Sequence, residues 1–80
     1  MANTVRQRKA SEVLAEKFRD ARTRQQLTQV DVAYRARVTP AQVSVIENGS
    51  GDPRLSTVER IAAALGLALC VTDSEPAAAR

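Results

Sequence analysis

The chain has 80 residues, is 44% hydrophobic, and carries a formal net charge of +3 with an isoelectric point near 9.8. That length makes one domain with a small core, burying only about 60% of its unfolded surface, and the apolar content excludes a chain disordered by composition. One cysteine, Cys70, and no histidine leave no internal disulfide and little for metal binding or acid–base catalysis, and two aromatics, Phe18 and Tyr34, argue against base-stacking platforms.

Residues 1–10, MANTVRQRKA, are polar and basic without periodicity and read as an N-terminal arm or a frayed start to the first helix. Arg6, Arg8 and Lys9 are candidate nucleic-acid contacts there. Residues 1–26 hold seven basic groups against three acidic, a net of +4, whereas residues 50–80 hold three against four, a net of −1. The two ends are therefore expected to meet different partners. No apolar run reaches membrane-spanning length, and the first residues lack the apolar core of a signal peptide. A reduced, cytoplasmic protein without membrane contact is expected.

From Ser11 the pattern turns helical, with Leu14, Phe18 and Ala21 on one face, and a first helix is predicted to about Gln26. Leu27 follows as a core residue of the connection. Thr28-x-x-Asp31 is a loose capping box that opens a second, short helix ending near Ala36, with Val32 and Ala33 inward. Arg37-Val38 leads to a third helix from Thr39 to about Asn48. Thr39 is its N-cap, Pro40 its first helical residue, and Gln42 completes a capping box. Val43 and Ile46 point inward. The opposite face carries Pro40, Ala41, Gln42 and Ser44, none of them charged.

Gly49-Ser50-Gly51-Asp52-Pro53 is dense turn chemistry. Ser56-x-x-Glu59 reads as a strict capping box for a fourth helix, with Leu55, Val58, Ile61, Ala62 and Leu65 as its apolar stripe and Gly66 as its left-handed stop. The period then changes to two. Leu67, Leu69 and Val71 alternate with Ala68, Cys70 and Thr72, a strand pattern. Residues 73–80 read as a disordered tail.

Two short helices, each opened by a threonine and joined by about three residues, make a helix-turn-helix candidate. The uncharged face of the third helix fits that role. A helix entering the major groove must avoid bulky or acidic groups near its start. Gln42 and Ser44 can hydrogen-bond base edges, and Thr39, Pro40 and Ala41 can touch a thymine methyl. The charge that attracts phosphate can sit elsewhere, on the arm and first helix. Arg54, just after the turn, is either a phosphate contact or a solvated loop residue. With no histidine and no clustered carboxylates, an enzyme is not expected. No cofactor is implied.

Residues 27–67 resemble the Cro/phage-repressor (Xre-type) helix-turn-helix family. The matching points are Leu27-Thr28-Gln29, Val32-Ala33, Val38-Thr39, Val43-Ser44, Ile46-Glu47-Asn48-Gly49, Pro53, Leu55 and Ile61-Ala62-x-Ala64-Leu65-Gly66. The resemblance implies an all-α bundle of four to five helices that binds pseudo-palindromic double-stranded DNA as a homodimer. It places Gln29 against a phosphate, Thr39, Pro40, Ala41, Gln42, Ser44 and Val45 toward the groove, and the backbone near Asn48 on the far phosphate. It also pairs Arg22 with Glu47 as a structural ion pair.

Two departures stand out. Where the family commonly has glycine between the central helices this chain has Arg37, which a left-handed turn would strain and which can add a phosphate contact. Many relatives end in a fifth helix, but here a strand over Leu67–Thr72 is expected. A lone strand leaves backbone groups unpaired, so its simplest partner is the same strand of a second copy. Leu67, Leu69, Cys70 and Val71 are the candidate dimerisation residues. This ending is similar to HipB-type antitoxins, small repressors that also bind a toxin. The expected organisation is an arm (1–10), a DNA-binding domain (11–66), a dimerisation strand (67–72) and a tail (73–80). The expected function is a DNA-binding regulator, a repressor and the antitoxin of a toxin pair. The alternative is a stand-alone Xre-type regulator, such as a restriction-modification controller or phage-type repressor.

Overall fold

The structure, a computed structural model, describes residues 9–71. Four helices follow one another: α1 (Ala10–Arg24), α2 (Gln29–Ala36), α3 (Pro40–Glu47) and α4 (Leu55–Ala64). The described residues are all-helical, so the helical bundle expected from the sequence is present with four helices. α2 packs on both α3 and α4, α1 packs on α3, and α3 touches α4 more lightly. The four largest fully buried side chains are Phe18, Val32, Val43 and Ile61, one from each helix. Ala21, Ala33, Ala36 and Ala62 fill in around them. These small side chains let short helices approach closely, which a domain with little apolar surface needs.

All four helices stop in the same way. An N–H two residues beyond the end of α2, and three beyond the ends of the others, donates to a carbonyl five residues back: Leu27 to Arg22, Val38 to Ala33, Ser50 to Val45 and Leu67 to Ala62. This closure needs one left-handed residue per helix. Gly49 and Gly66 supply it on α3 and α4, but Gln26 (φ 59°) and Arg37 (φ 60°) supply it on α1 and α2. A side chain there is strained, so Gln26→Gly is expected to raise stability by about 1 kcal/mol. Urea unfolding followed by circular dichroism checks this. Gln26 is exposed and its side chain makes no hydrogen bond among the described residues, so little else changes.

Three expectations change at the C-terminal half. Ser56 does not cap α4. The helix starts earlier, with Arg54 in extended conformation (ψ 145°) accepting the first helical bond from Val58 N–H. Ser56 is thus already inside the first turn, where a residue no longer has the extended backbone a cap requires. Leu55, expected in the buried stripe, is 67% exposed. It is the first residue of α4 and lies outside the core cluster. Finally, no strand forms over the described part of Leu67–Thr72. Residues 67–71 are irregular, because a strand needs a ladder partner and no strand lies among the described residues to pair with them. Leu67 packs on the core, while Leu69, Cys70 and Val71 are exposed. Thr72, the 73–80 tail and residues 1–8, with Arg6 and Arg8, lie outside the described residues. α1 begins at Ala10, one residue inside the span read as arm.

Candidate nucleic-acid interface

The start of α3 is built by local chemistry. Thr39 Oγ1 accepts from Gln42 N–H at 3.1 Å, and Gln42 Oε1 accepts from Thr39 N–H at 2.8 Å. The reciprocal box satisfies two N–H groups that the helix cannot. Pro40 fills the first helical position, where no N–H is needed. Gln42 spends its carbonyl oxygen on the cap, which leaves its amide donors unspent. Pro40, Ala41, Gln42 and Val45 are exposed and Ser44 is half-buried, while Val43, Ile46 and Glu47 face inward. The outward face therefore has no charge, and no acid lies in the first turn. The positive end of the helix dipole is unopposed there.

α2 opens with the matching device. Asp31 N–H donates to Thr28 Oγ1 at 3.0 Å, and Thr28 N–H donates to Asp31 Oδ2 at 2.9 Å. The Thr28 backbone bond, then its hydroxyl, holds the Asp31 carboxyl below its ordinary pKa. A depressed carboxylate pKa stabilises the fold above the unfolded value, and that contribution is lost as pH falls through the folded value. Asp31→Asn should therefore lower stability at neutral pH, where the ionised carboxyl contributes, and flatten the acid limb of the pH–stability curve, so that the two curves converge in acid. Urea midpoints between neutral and acid pH read this directly.

Glu47, buried to 3% exposure, ties three helices together. Arg22 grips it with two bonds, Nε to Oε2 at 2.7 Å and Nη2 to Oε1 at 3.0 Å. Gln29 Nε2 adds a bond to Oε1 at 3.1 Å. Arg22 Nη1 also donates to the Leu27 carbonyl at 2.9 Å, so it fixes the α1–α2 connection as well. Bonding to Glu47 outweighs burial and raises the Arg22 pKa above its ordinary value. Arg19 Nη1 donates to the Glu47 carbonyl at 2.6 Å, covering the C-terminal end of α3. The side chains that orient α3 thus come from α1 and the start of α2.

The remaining candidates fall in two places. Asn48 is exposed at the end of α3, with Nδ2 at 3.5 Å from Ser44 Oγ. Arg54 borders a concavity of about 420 Å³ together with Ala41, Gln42, Val45 and Pro53, beside the outward face of α3. Gly51 closes this side. A Cβ there would lie 2.8 Å from Val45 Cγ1, so a side chain would push into α3. Arg37 is not on this face. It lines a separate concavity with Arg35 and Arg60, at the far end of α2. One amide N–H of Gln29 is committed to Glu47, and the other is left for an outside partner.

Two contacts had no sequence signal of their own. Arg19 lies one turn before Arg22 on the same face of α1, the only hint of its role. Gln25 Nε2 reaches the Leu65 carbonyl at 2.8 Å and joins the ends of α1 and α4 across forty positions of chain. Among the described residues, no group of acidic, histidine or cysteine side chains could hold a metal ion, and no helix is long and apolar enough to cross a membrane.

Residues 13–74 match a family model described as a helix-turn-helix domain. The chain is 41% identical over 66 residues to "Putative antitoxin HigA2" of Mycobacterium tuberculosis. That match covers 81% of this chain and 65% of the relative, so the chain spans a little under two thirds of the relative's length. No solved structure matches.

Proposed function

Because the chain belongs to the Xre-type helix-turn-helix family, we propose that it is a sequence-specific DNA-binding regulator that lays α3 in the major groove. The observation that carries this is the α3 surface: exposed, uncharged, and held at its start by a complete capping box. Ala41 and Val45 offer apolar contact to thymine methyls, and Gln42 and Ser44 offer hydrogen bonds to base edges. The second amide N–H of Gln29, the backbone at Asn48 and the Arg54 guanidinium then meet phosphates flanking the groove, with Arg6 and Arg8 as further contacts from the arm. Phosphate contacts set register, and the α3 side chains read sequence.

The protein acts as a homodimeric repressor. Leu69 is 40% and Val71 99% exposed in the single chain, apolar surface that a second copy would cover. Half-sites then lie about 34–36 Å apart, or at the spacing the strand seam sets. The likeness to HigA2 supports an antitoxin role, with a toxin as protein partner and DNA binding as autoregulation.

Selection from a random duplex library, followed by affinity against salt, tests the reading. A recovered palindromic site with log affinity falling steeply against log salt supports it, since phosphate neutralisation releases counterions. No enriched site and a flat salt dependence overturn it. A nuclease-treated pull-down with this protein as bait tests the antitoxin role: a stoichiometric protein supports it, and recovery of the chain alone leaves a stand-alone regulator.

A further inference from the structure

Away from the α3 face, the end of α2 and the second half of α4 enclose a shallow concavity of about 660 Å³. Its rim is Arg35, Arg37 and Arg60, and its floor is Ala36, Ala63 and Ala64. All three arginines are exposed, and none of their guanidinium groups makes a hydrogen bond or salt bridge among the described residues. The nearest influence is Asp31, whose carboxyl feels Arg35. No carboxylate lines the concavity. Three guanidinium groups around one hollow repel each other, and an anion between them would relieve that repulsion. Arg37 also holds a strained left-handed backbone (φ 60°, ψ 44°) that glycine would adopt freely.

We propose that this notch is a docking site for an acidic segment of a partner protein, one that places carboxylates on the arginines and a small apolar side chain on the alanine floor. This inference rests on the reading that the chain has a protein partner. Two observations favour a peptide over a DNA backbone. The floor is apolar, and a neighbouring concavity that shares Arg35 and Arg37 is lined by Tyr34, which is 86% exposed, with Val30, 62% exposed, one turn before it on α2. Phosphodiester has no use for that surface, whereas interfaces favour aromatic side chains and arginine. The notch also sits at the opposite end of α2 from Gln29, seven residues or about 10 Å along the helix.

The test is a nuclear magnetic resonance titration of the full chain with a short synthetic peptide of repeating Glu-Glu-Leu, and separately with a DNA duplex. With the peptide, the arginine Nε signals of Arg35, Arg37 and Arg60 and the amides of Ala63 and Tyr34 are expected to shift. Arg60→Glu should weaken peptide binding roughly tenfold, since it sets like charges together, while leaving duplex affinity unchanged. Peptide shifts confined to other basic groups overturn the proposal. So does a duplex, rather than the peptide, moving the notch arginines, or an Arg60→Glu variant that binds peptide as before. The partner reading fails separately. If a partner is recovered by pull-down and Arg60→Glu binds it unchanged, the notch is wrong and the partner stands. If no partner is recovered, the titration still decides whether the notch takes an acidic peptide.

Discussion

Glu47→Ala is expected to destabilise the protein by about 3–5 kcal/mol, because it leaves Arg22 partly buried without its carboxylate. The Arg22 side chain is 20% exposed and Glu47 3%, so solvent screens the pair only in part. A domain of this size has total stability on the order of 4–12 kcal/mol. Each 1 kcal/mol moves its melting temperature by roughly 4–8 °C. The variant should therefore melt tens of degrees lower, with much of it unfolded at 37 °C. Arg22→Ala should lose as much, since it also releases the Leu27 carbonyl. Replacing both, as Arg22→Met with Glu47→Leu, should cost far less than either single change, because removing one partner is worse than removing the pair. Thermal unfolding of the three variants decides the matter. Equal and additive losses would contradict a coupled pair.

Ala41→Glu is expected to act in the opposite way. Ala41 is exposed at the start of α3, so the fold should hold within about 0.5 kcal/mol. A carboxylate in the first helical turn even favours the helix dipole. In the groove the same charge faces phosphates and displaces contact with base edges. A loss of about 100-fold in duplex affinity, on the order of 3 kcal/mol, should follow. Affinity measured at one fixed salt concentration, beside a melting curve, separates the two effects. Stability lost with binding retained would place α3 outside the interface.

Features decided within four residues were legible in the sequence. The capping boxes at Thr28 and Thr39 form as their spacing implies, because both partners lie on one turn. The stops at Gly49 and Gly66 are equally local. The same logic misled at Ser56, where the spacing to Glu59 fits a box but Arg54 already accepts the first helical bond. A cap motif says what could start a helix, not which of two nearby starts the core selects. Arg22 and Glu47, 25 positions apart, were paired by family resemblance and not by any local pattern. Gln29 and Arg19 joined the same knot unseen, because their reach depends on how α1, α2 and α3 pack. The alternation over residues 67–71 reads as a strand, but among the described residues no strand forms there. Arg37 was legible as a misfit in the turn, but its neighbours Arg35 and Arg60 meet it only after α2 packs on α4.

The most direct test of α3 as the groove-binding element is an amide chemical-shift map of the full chain with its selected duplex. The expected result is a band of perturbed signals over Thr39–Val45, with further changes at Gln29, Asn48 and Arg54 and little change at Arg60 or Ala63. Perturbation centred on the Arg35, Arg37 and Arg60 notch, with α3 silent, would contradict it.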